Sequence, residues 1–177
     1  DYIVGDENDV LSRLIQCGQK VGATDIFRMT SESPFPFYEG IESSWKDHIE
    51  GDFAATFLDD IIDGCGYEII TLDSLIYSHN NGNSNHRSEL CTLFIRENYD
   101  KFNVLKIQPP DNLRRKDLRL TVDYPEDLIV CRKVYEKFKN DCPLLNMEKV
   151  VAFLDKNPHI TNLVLPFCEE GYKTMYV

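Results

Sequence analysis

Cations are scarce in this sequence, and the short signatures of several familiar chemistries are missing from it. Its 19 Lys and Arg stand against 30 Asp and Glu, for a net charge of −11. A surface of that sign repels a nucleic-acid backbone, so no nucleic-acid partner is expected. Neither a G-x-x-x-x-G-K phosphate loop nor a G-x-G-x-x-G fingerprint occurs, so these residues hold no nucleotide phosphate in either of those ways. A G-x-S-x-G elbow and an H-E-x-x-H pair are also absent, which removes two hydrolase chemistries. The histidines, His48, His79, His86 and His159, are scattered, and each reads as a packing or surface residue. No two of the cysteines, Cys17, Cys65, Cys91, Cys131, Cys142 and Cys168, form a C-x-x-C pair, and their spacings match no zinc site. Six cysteines admit a disulfide framework, yet several lie within apolar helical patterns, where Cys behaves as a small buried hydrophobe. Reduced thiols and a cytoplasmic location are expected. No apolar run approaches the roughly 18 residues of a membrane span, and the opening residues carry no secretory leader pattern, so no membrane partner is expected.

What is present is a globular composition. A chain of 177 residues, 42% apolar and 11% aromatic, can bury a core as one domain. Tyr2–Val4 reads as a short strand. The turn Gly5-Asp6-Glu7-Asn8 offers N-caps for a helix that buries Val10, Leu11, Leu14, Ile15 and Cys17 and ends at Gly22. Further strands are predicted over Thr24–Met29, Phe53–Phe57, Tyr67–Thr71, Phe102–Ile107 and Leu118–Val122. A helix over Tyr38–Ile49 would carry Ile41, Trp45, His48 and Ile49 inward, and one over Ser88–Glu97 would do so with Leu90, Cys91, Phe94 and Ile95. Shorter or later helices are predicted over Leu72–Tyr77, Pro125–Lys139 and Met147–Lys156. His79–Asn85 reads as a polar loop and Leu163–Leu165 as an edge strand, while Trp45 and Met29 read as core. Strands that alternate with helices argue a layered α/β sheet.

Chemistry concentrates in a few places. Arg119-Leu120-Thr121-Val122-Asp123-Tyr124-Pro125-Glu126-Asp127 reads as a strand, an acidic turn and a helix start. Spacing alone leaves two readings open. In one, Pro125 takes the first helical position, acids suit the positive helix end, and Asp123 with Glu126 forms a structural cap. In the other, Tyr124 is the cap. Asp123, at the strand end where open α/β sheets bind ligands, then holds a metal. Clustered carboxylates of this kind recruit a divalent cation that bridges them to phosphates. Glu68 is either a buried functional acid after a glycine turn or an exposed strand carboxylate. Arg28 either offers a forked donor to a phosphate or carboxylate, or pairs with Glu32 or Asp25. Arg114-Arg115-Lys116, the one dense cationic run, reads as a solvated loop, with an anion-holding role as the alternative.

Four segments carry a family resemblance, and a fifth does so less clearly. LRLTVDYPEDL, at Leu118–Leu128, resembles the segment ending in D-T-P-E-D-L of cytidylyltransferases that activate sugar acids and related sugars. It is most similar to the spore-coat polysaccharide branch, with acylneuraminate and Kdo cytidylyltransferases as relatives. Gly5–Leu11 resembles the family's G-S-E-D-D-V-L, and Phe27–Phe35 resembles its V-R-L-T-G-D-C-P-L. Asp63–Glu68 resembles its D-G-x-x-x-E turn. Arg87–Thr92 is similar to its R-E-H-V-T helix start, keeping Glu89 and Thr92 but lacking the His. The resemblance runs over about Val4–Leu154.

By resemblance, the fold is a Rossmann-like nucleotide-diphospho-sugar transferase fold, an α/β/α three-layer domain with a mixed sheet. The implied activity is transfer of CMP from CTP to a sugar or sugar acid, in surface polysaccharide biosynthesis. Asp123 and Glu32 are the implied catalytic, magnesium-binding pair, and Arg28, Asp63, Glu68 and Glu89 the implied substrate-binding residues. A homodimer is implied, with 72–108 as its arm. Two departures stand out. Ser31-Glu32 replaces the family's Gly-Asp, and a misplacement of about one ångström can cost roughly a hundredfold in rate. The family's Gly/Arg/Lys-rich loop, which wraps the triphosphate and reads cytosine, has no counterpart in these residues. An N-terminally incomplete fold, inactive alone, is therefore expected. The alternatives are a non-catalytic nucleotidyltransferase-like module within a longer protein, or an enzyme using UTP or GTP.

Overall fold

Four short strands, none longer than five residues, carry the architecture in the order β1-β3-β2-β4. The computed structural model describes residues 2–175, with side chains except at 170 and 172–175. The strands are β1 (Asp25–Arg28), β2 (Ala55–Leu58), β3 (Tyr67–Thr71) and β4 (Val104–Lys106). β3 lies antiparallel to both β1 and β2, whereas β4 lies parallel to β2, so the sheet is mixed. The helices are α1 (Val10–Val21), α2 (Ile41–Glu50), α3 (Leu72–Asn81), α4 (Leu93–Glu97), α5 (Pro125–Phe138), α6 (Met147–Asp155), α7 (Pro158–Thr161) and α8 (Leu165–Met175).

The period-two alternation of strand side chains divides the core in two. Ala55, Phe57 and Ile70 pack with Leu11 of α1, Leu75 of α3 and Ile95 of α4. Leu58 and Tyr67 point the other way and pack with Val130 and Val134 of α5 and Val150 and Leu154 of α6. Helices therefore cover both faces, which gives the expected three-layer α/β/α arrangement. Two of the boundaries follow from capping. Asp9 accepts from the Ser12 amide at 2.8 Å to open α1, and Gly22 closes it in the left-handed region at φ 67°.

Several expectations fail for definite reasons. Trp45 and Ile49 are partly exposed, at 37% and 51%, because α2 is attached by polar groups instead. Ser44 meets the Tyr67 hydroxyl at 2.9 Å, and His48 contacts Thr56 at 2.8 Å and Asp25 at 3.1 Å. Met29 lies outside the core at 40% exposure, and Cys17 and Leu90 are likewise exposed. Tyr2–Val4 joins no strand, and Tyr2 and Val4 stand exposed. α3 continues through His79 to Asn81, and α4 begins only at Leu93. Leu163–Leu165 is no edge strand, since Leu165 opens α8.

Leu118–Val122 forms no strand either, only a single parallel bridge from Arg119 to Asp63, closed by the Leu120 amide on the Asp63 carbonyl at 2.8 Å. Gly64 sets that close approach. Its φ is +86°, and a Cβ there would lie 2.5 Å from the Thr121 nitrogen and 2.6 Å from the Leu120 carbonyl carbon. Both obstacles are backbone, so Gly64→Ala is expected to cost more than about 2 kcal/mol, read as a lower urea midpoint.

Candidate active site

The strand directions bring four loops to one edge. The register pairs Arg28 with Glu68, Leu58 with Tyr67 and Phe57 with Lys106. The carboxyl ends of β1, β2 and β4 thus share an edge with the start of β3, the edge at which open α/β sheets take ligands. A cavity of about 850 Å³ opens there, lined by Arg13 of α1, Arg28 at the end of β1, Glu32 after it, Glu89 before α4, and Asp123 before α5. A smaller one of about 150 Å³ adjoins it, lined by Arg28, Glu32, Glu68 and Glu89 together with Asp59 and Arg96.

Glu68 is the buried centre of the smaller cavity. One of its oxygens accepts from Arg28 at 2.7 Å. The other accepts from the Thr92 hydroxyl at 2.6 Å and from Arg96 at 3.0 Å. Arg96 also grips Asp59 through two bonds, at 2.7 and 2.9 Å, with its guanidinium 4.0 Å over the Phe57 ring. Arg28 spends a second nitrogen on the Glu89 carbonyl at 2.8 Å. Burial alone would raise the Glu68 carboxyl, but Arg28, Arg96 and the Thr92 hydroxyl outweigh it and hold the group below the usual carboxylate range. The same contacts raise Arg28 and Arg96 against the opposing effect of their own burial.

A second network centres on Arg119, which is 3% exposed. Its guanidinium engages Asp63, Asp123 and, at 2.9 Å, Asp127. The other Asp127 oxygen accepts from the Asp123 and Tyr124 amides at 3.0 Å, so Asp127 rather than Glu126 caps α5. Tyr124 is the N-cap residue, as the metal reading of Asp123 required. Asp123 is nevertheless held by Arg119, with its side chain half exposed. A long contact of 3.5 Å from the Thr121 hydroxyl to the Glu32 carbonyl ties this segment to the loop after β1.

Arg28, Glu32, Glu89 and Asp123 therefore meet at one cavity, and Glu68 joins them through Arg28. Asp63 does not. It is buried beneath Arg119, one of its oxygens has no hydrogen-bond partner among the described residues, and burial pushes its carboxyl above the usual range even with Arg119 beside it. It stands outside the described lining of both cavities and holds Arg119 from behind. Sequence reading missed Arg13, Asp59, Arg96 and the central role of Arg119. The available signals were the spacing of Arg96 one helical turn after Thr92 and of Arg119 four residues before Asp123. Arg115, from the cationic run, pairs with Asp117 and Asp155 on the surface.

No family model matches the chain. It is 29% identical over 171 residues to an uncharacterized protein of Methanocaldococcus jannaschii, covering 96% of this chain and 69% of that protein. It is 25% identical over 155 residues to the spore coat polysaccharide biosynthesis protein SpsF of Bacillus subtilis, covering 87% and 64% respectively. Its fold is similar to that of a cytidylyltransferase from Leptospira borgpetersenii, with a TM-score of 0.79 at 20% identity, over 89% of this chain and 66% of that one. The chain thus spans about two-thirds the length of these relatives. Among the described residues, no helix is long and apolar enough to cross a membrane.

The lowered Glu68 carboxyl fixes the sign of a pH effect. A folded value below the unfolded one contributes stability that is complete above the unfolded value and lost as pH falls through the folded one. Glu68→Gln leaves two buried arginines short of charge and is expected to cost roughly 3–5 kcal/mol at neutral pH. It should also flatten the decline of stability on the acid side. Urea unfolding from neutral pH down through the carboxylate range checks both.

Proposed function

We propose that this chain, sugar-cytidylyltransferase-like in sequence and fold, acts in the transfer of CMP from CTP to a hydroxyl of a sugar or sugar acid, with release of pyrophosphate. The observation that carries the reading is the convergence of Arg28, Glu32, Glu89 and Asp123, from separate segments, on one cavity at the carboxyl ends of the strands. A place in surface polysaccharide biosynthesis is supported by the name of the Bacillus subtilis relative. In this reading the sugar oxygen forms its bond to the α-phosphorus as the bond from that phosphorus to the pyrophosphate oxygen breaks. Arg28, braced by Glu68, orients the substrate beside Glu89.

The donor set suits magnesium. That ion takes one or two protein carboxylates and completes its octahedral shell with phosphate oxygens and water. Glu32 and Asp123 line the same cavity, and among the described residues no group of three His, Cys, Asp or Glu side chains forms an all-protein cage. Magnesium held there supplies neutralisation of charge on the phosphates. The chain's own contribution is to orient Asp123 through Arg119 and to hold Glu32 near it through the Thr121 contact. A homodimer through 72–108 belongs to the same reading, and Tyr77, Leu90 and Tyr99 are exposed apolar side chains within that stretch.

A second reading is a non-catalytic module that binds a sugar or nucleotide. It is favoured by the ion pair that draws Asp123 onto Arg119, and by Glu32 in place of the family's Asp. Pyrophosphate release with CTP, magnesium and a panel of sugar acids separates the two, measured on the natural polypeptide that contains these residues. Asp123→Asn is expected to lower the rate about 100-fold or more, as loss of a charge-stabilising group does. Ligand binding without any pyrophosphate release would sink the catalytic reading in favour of the second.

A further inference from the structure

An uncommitted cation stands in the larger cavity. Every other buried or part-buried arginine among the described residues, namely Arg28, Arg87, Arg96, Arg114, Arg115 and Arg119, forms an ion pair with a carboxylate. Among the described residues, Arg13 is part-buried and forms none, and its Nε, like those of Arg87 and Arg114, is buried without a hydrogen-bond partner. The side chain is held in place by packing. Gly5 lies directly on its stem, where a Cβ would come within 2.6 Å of the Arg13 Cγ. In a chain of net charge −11, with Glu7, Glu32, Glu89 and Asp123 lining the same cavity, an arginine that stays unpaired is unusual. A part-buried guanidinium with no partner is costly unless a ligand supplies the anion.

We propose that Arg13 is a specificity-determining residue, whose guanidinium pairs with an anionic group, carboxylate or phosphate, of the molecule bound in this cavity. The assignment rests on the ligand-binding part of the function proposed above and does not require turnover. Arg28 cannot do the same work alone, because Glu68 neutralises it and the Glu89 carbonyl takes its second nitrogen. Arg13 brings a planar fork of donors that matches either oxyanion in two parallel bonds. Its place in the second turn of α1 puts it on a rigid element, with the positive end of that helix beside the same cavity.

Binding titrations test this on the wild-type chain, Arg13→Gln and Arg13→Lys. The probes are CMP against cytidine, and glucuronic acid and a nonulosonic acid each against its uncharged methyl ester. At least one anionic probe is expected to bind the wild type about tenfold or more tightly than its neutral counterpart, as a charge-assisted hydrogen bond implies. Arg13→Gln should abolish that preference and Arg13→Lys restore part of it, with thermal unfolding unchanged. The pair that shows the preference identifies phosphate or carboxylate as the group recognised. Equal binding of the anionic probes by wild type and Arg13→Gln would overturn the proposal. So would a wild type that prefers neither anion. Absence of pyrophosphate release would defeat the catalytic reading and leave this result standing.

Discussion

Glu68 sits in the second position of a short central strand, with its charge turned into the protein rather than toward water. A lone buried carboxylate costs several kcal/mol in desolvation, and the cost is offset only when cations and donors surround it. Here Arg28 reaches it from β1, Arg96 from α4 and Thr92 from the turn before that helix. Arg96 then takes Asp59 at the end of β2. One carboxylate thus binds together β1, β2, β3 and α4 at the edge where the cavities open. Removing Glu68 leaves Arg28 without its carboxylate and Arg96 with Asp59 alone, so the floor of the site depends on that one charge.

Arg119 does the same for the opposite wall. Its three aspartates come from the glycine turn before β3, from the approach to α5 and from α5 itself. Asp127 serves twice, as a partner of Arg119 and as the cap that starts α5. Gly64 permits the backbone approach on which this network rests. The groups facing the larger cavity divide accordingly. Arg28 and Asp123 arrive already paired, while among the described residues Glu32 and Arg13 form no ion pair.

Strands rich in aromatic and β-branched residues after a glycine turn were legible: Tyr67–Thr71 is strand from end to end as expected, with Glu68 within it. Helices with strong caps were legible too, such as the one that ends at Gly22. α2 was misread on its face, because Ser44 and His48 are attached by hydrogen bonds and apolar periodicity cannot register such contacts. Leu118–Val122 looked like a strand because Leu118, Leu120 and Val122 alternate with Arg119 and Thr121, and it lacks only a partner over more than one residue. Of the site, the short motifs located Arg28, Glu32, Glu68, Glu89 and Asp123. They also included Asp63, whose acid serves the core.

LRLTVDYPEDL shows where the division falls. Its local chemistry, a proline at the helix start with acids around it, determined the beginning of α5 and the exposed position of Asp123. Those are short-range effects, set by φ restriction and by amides with no partner in the first helical turn. Whether Asp123 would be free was a tertiary matter. Arg119, four residues earlier on an irregular segment, holds it while also engaging Asp63, which arrives from 56 residues away. Sequence determined which groups are charged and where helices begin. Only the packed structure decided which charges neutralise one another, because Coulomb attraction depends on distances that close between residues far apart in the chain.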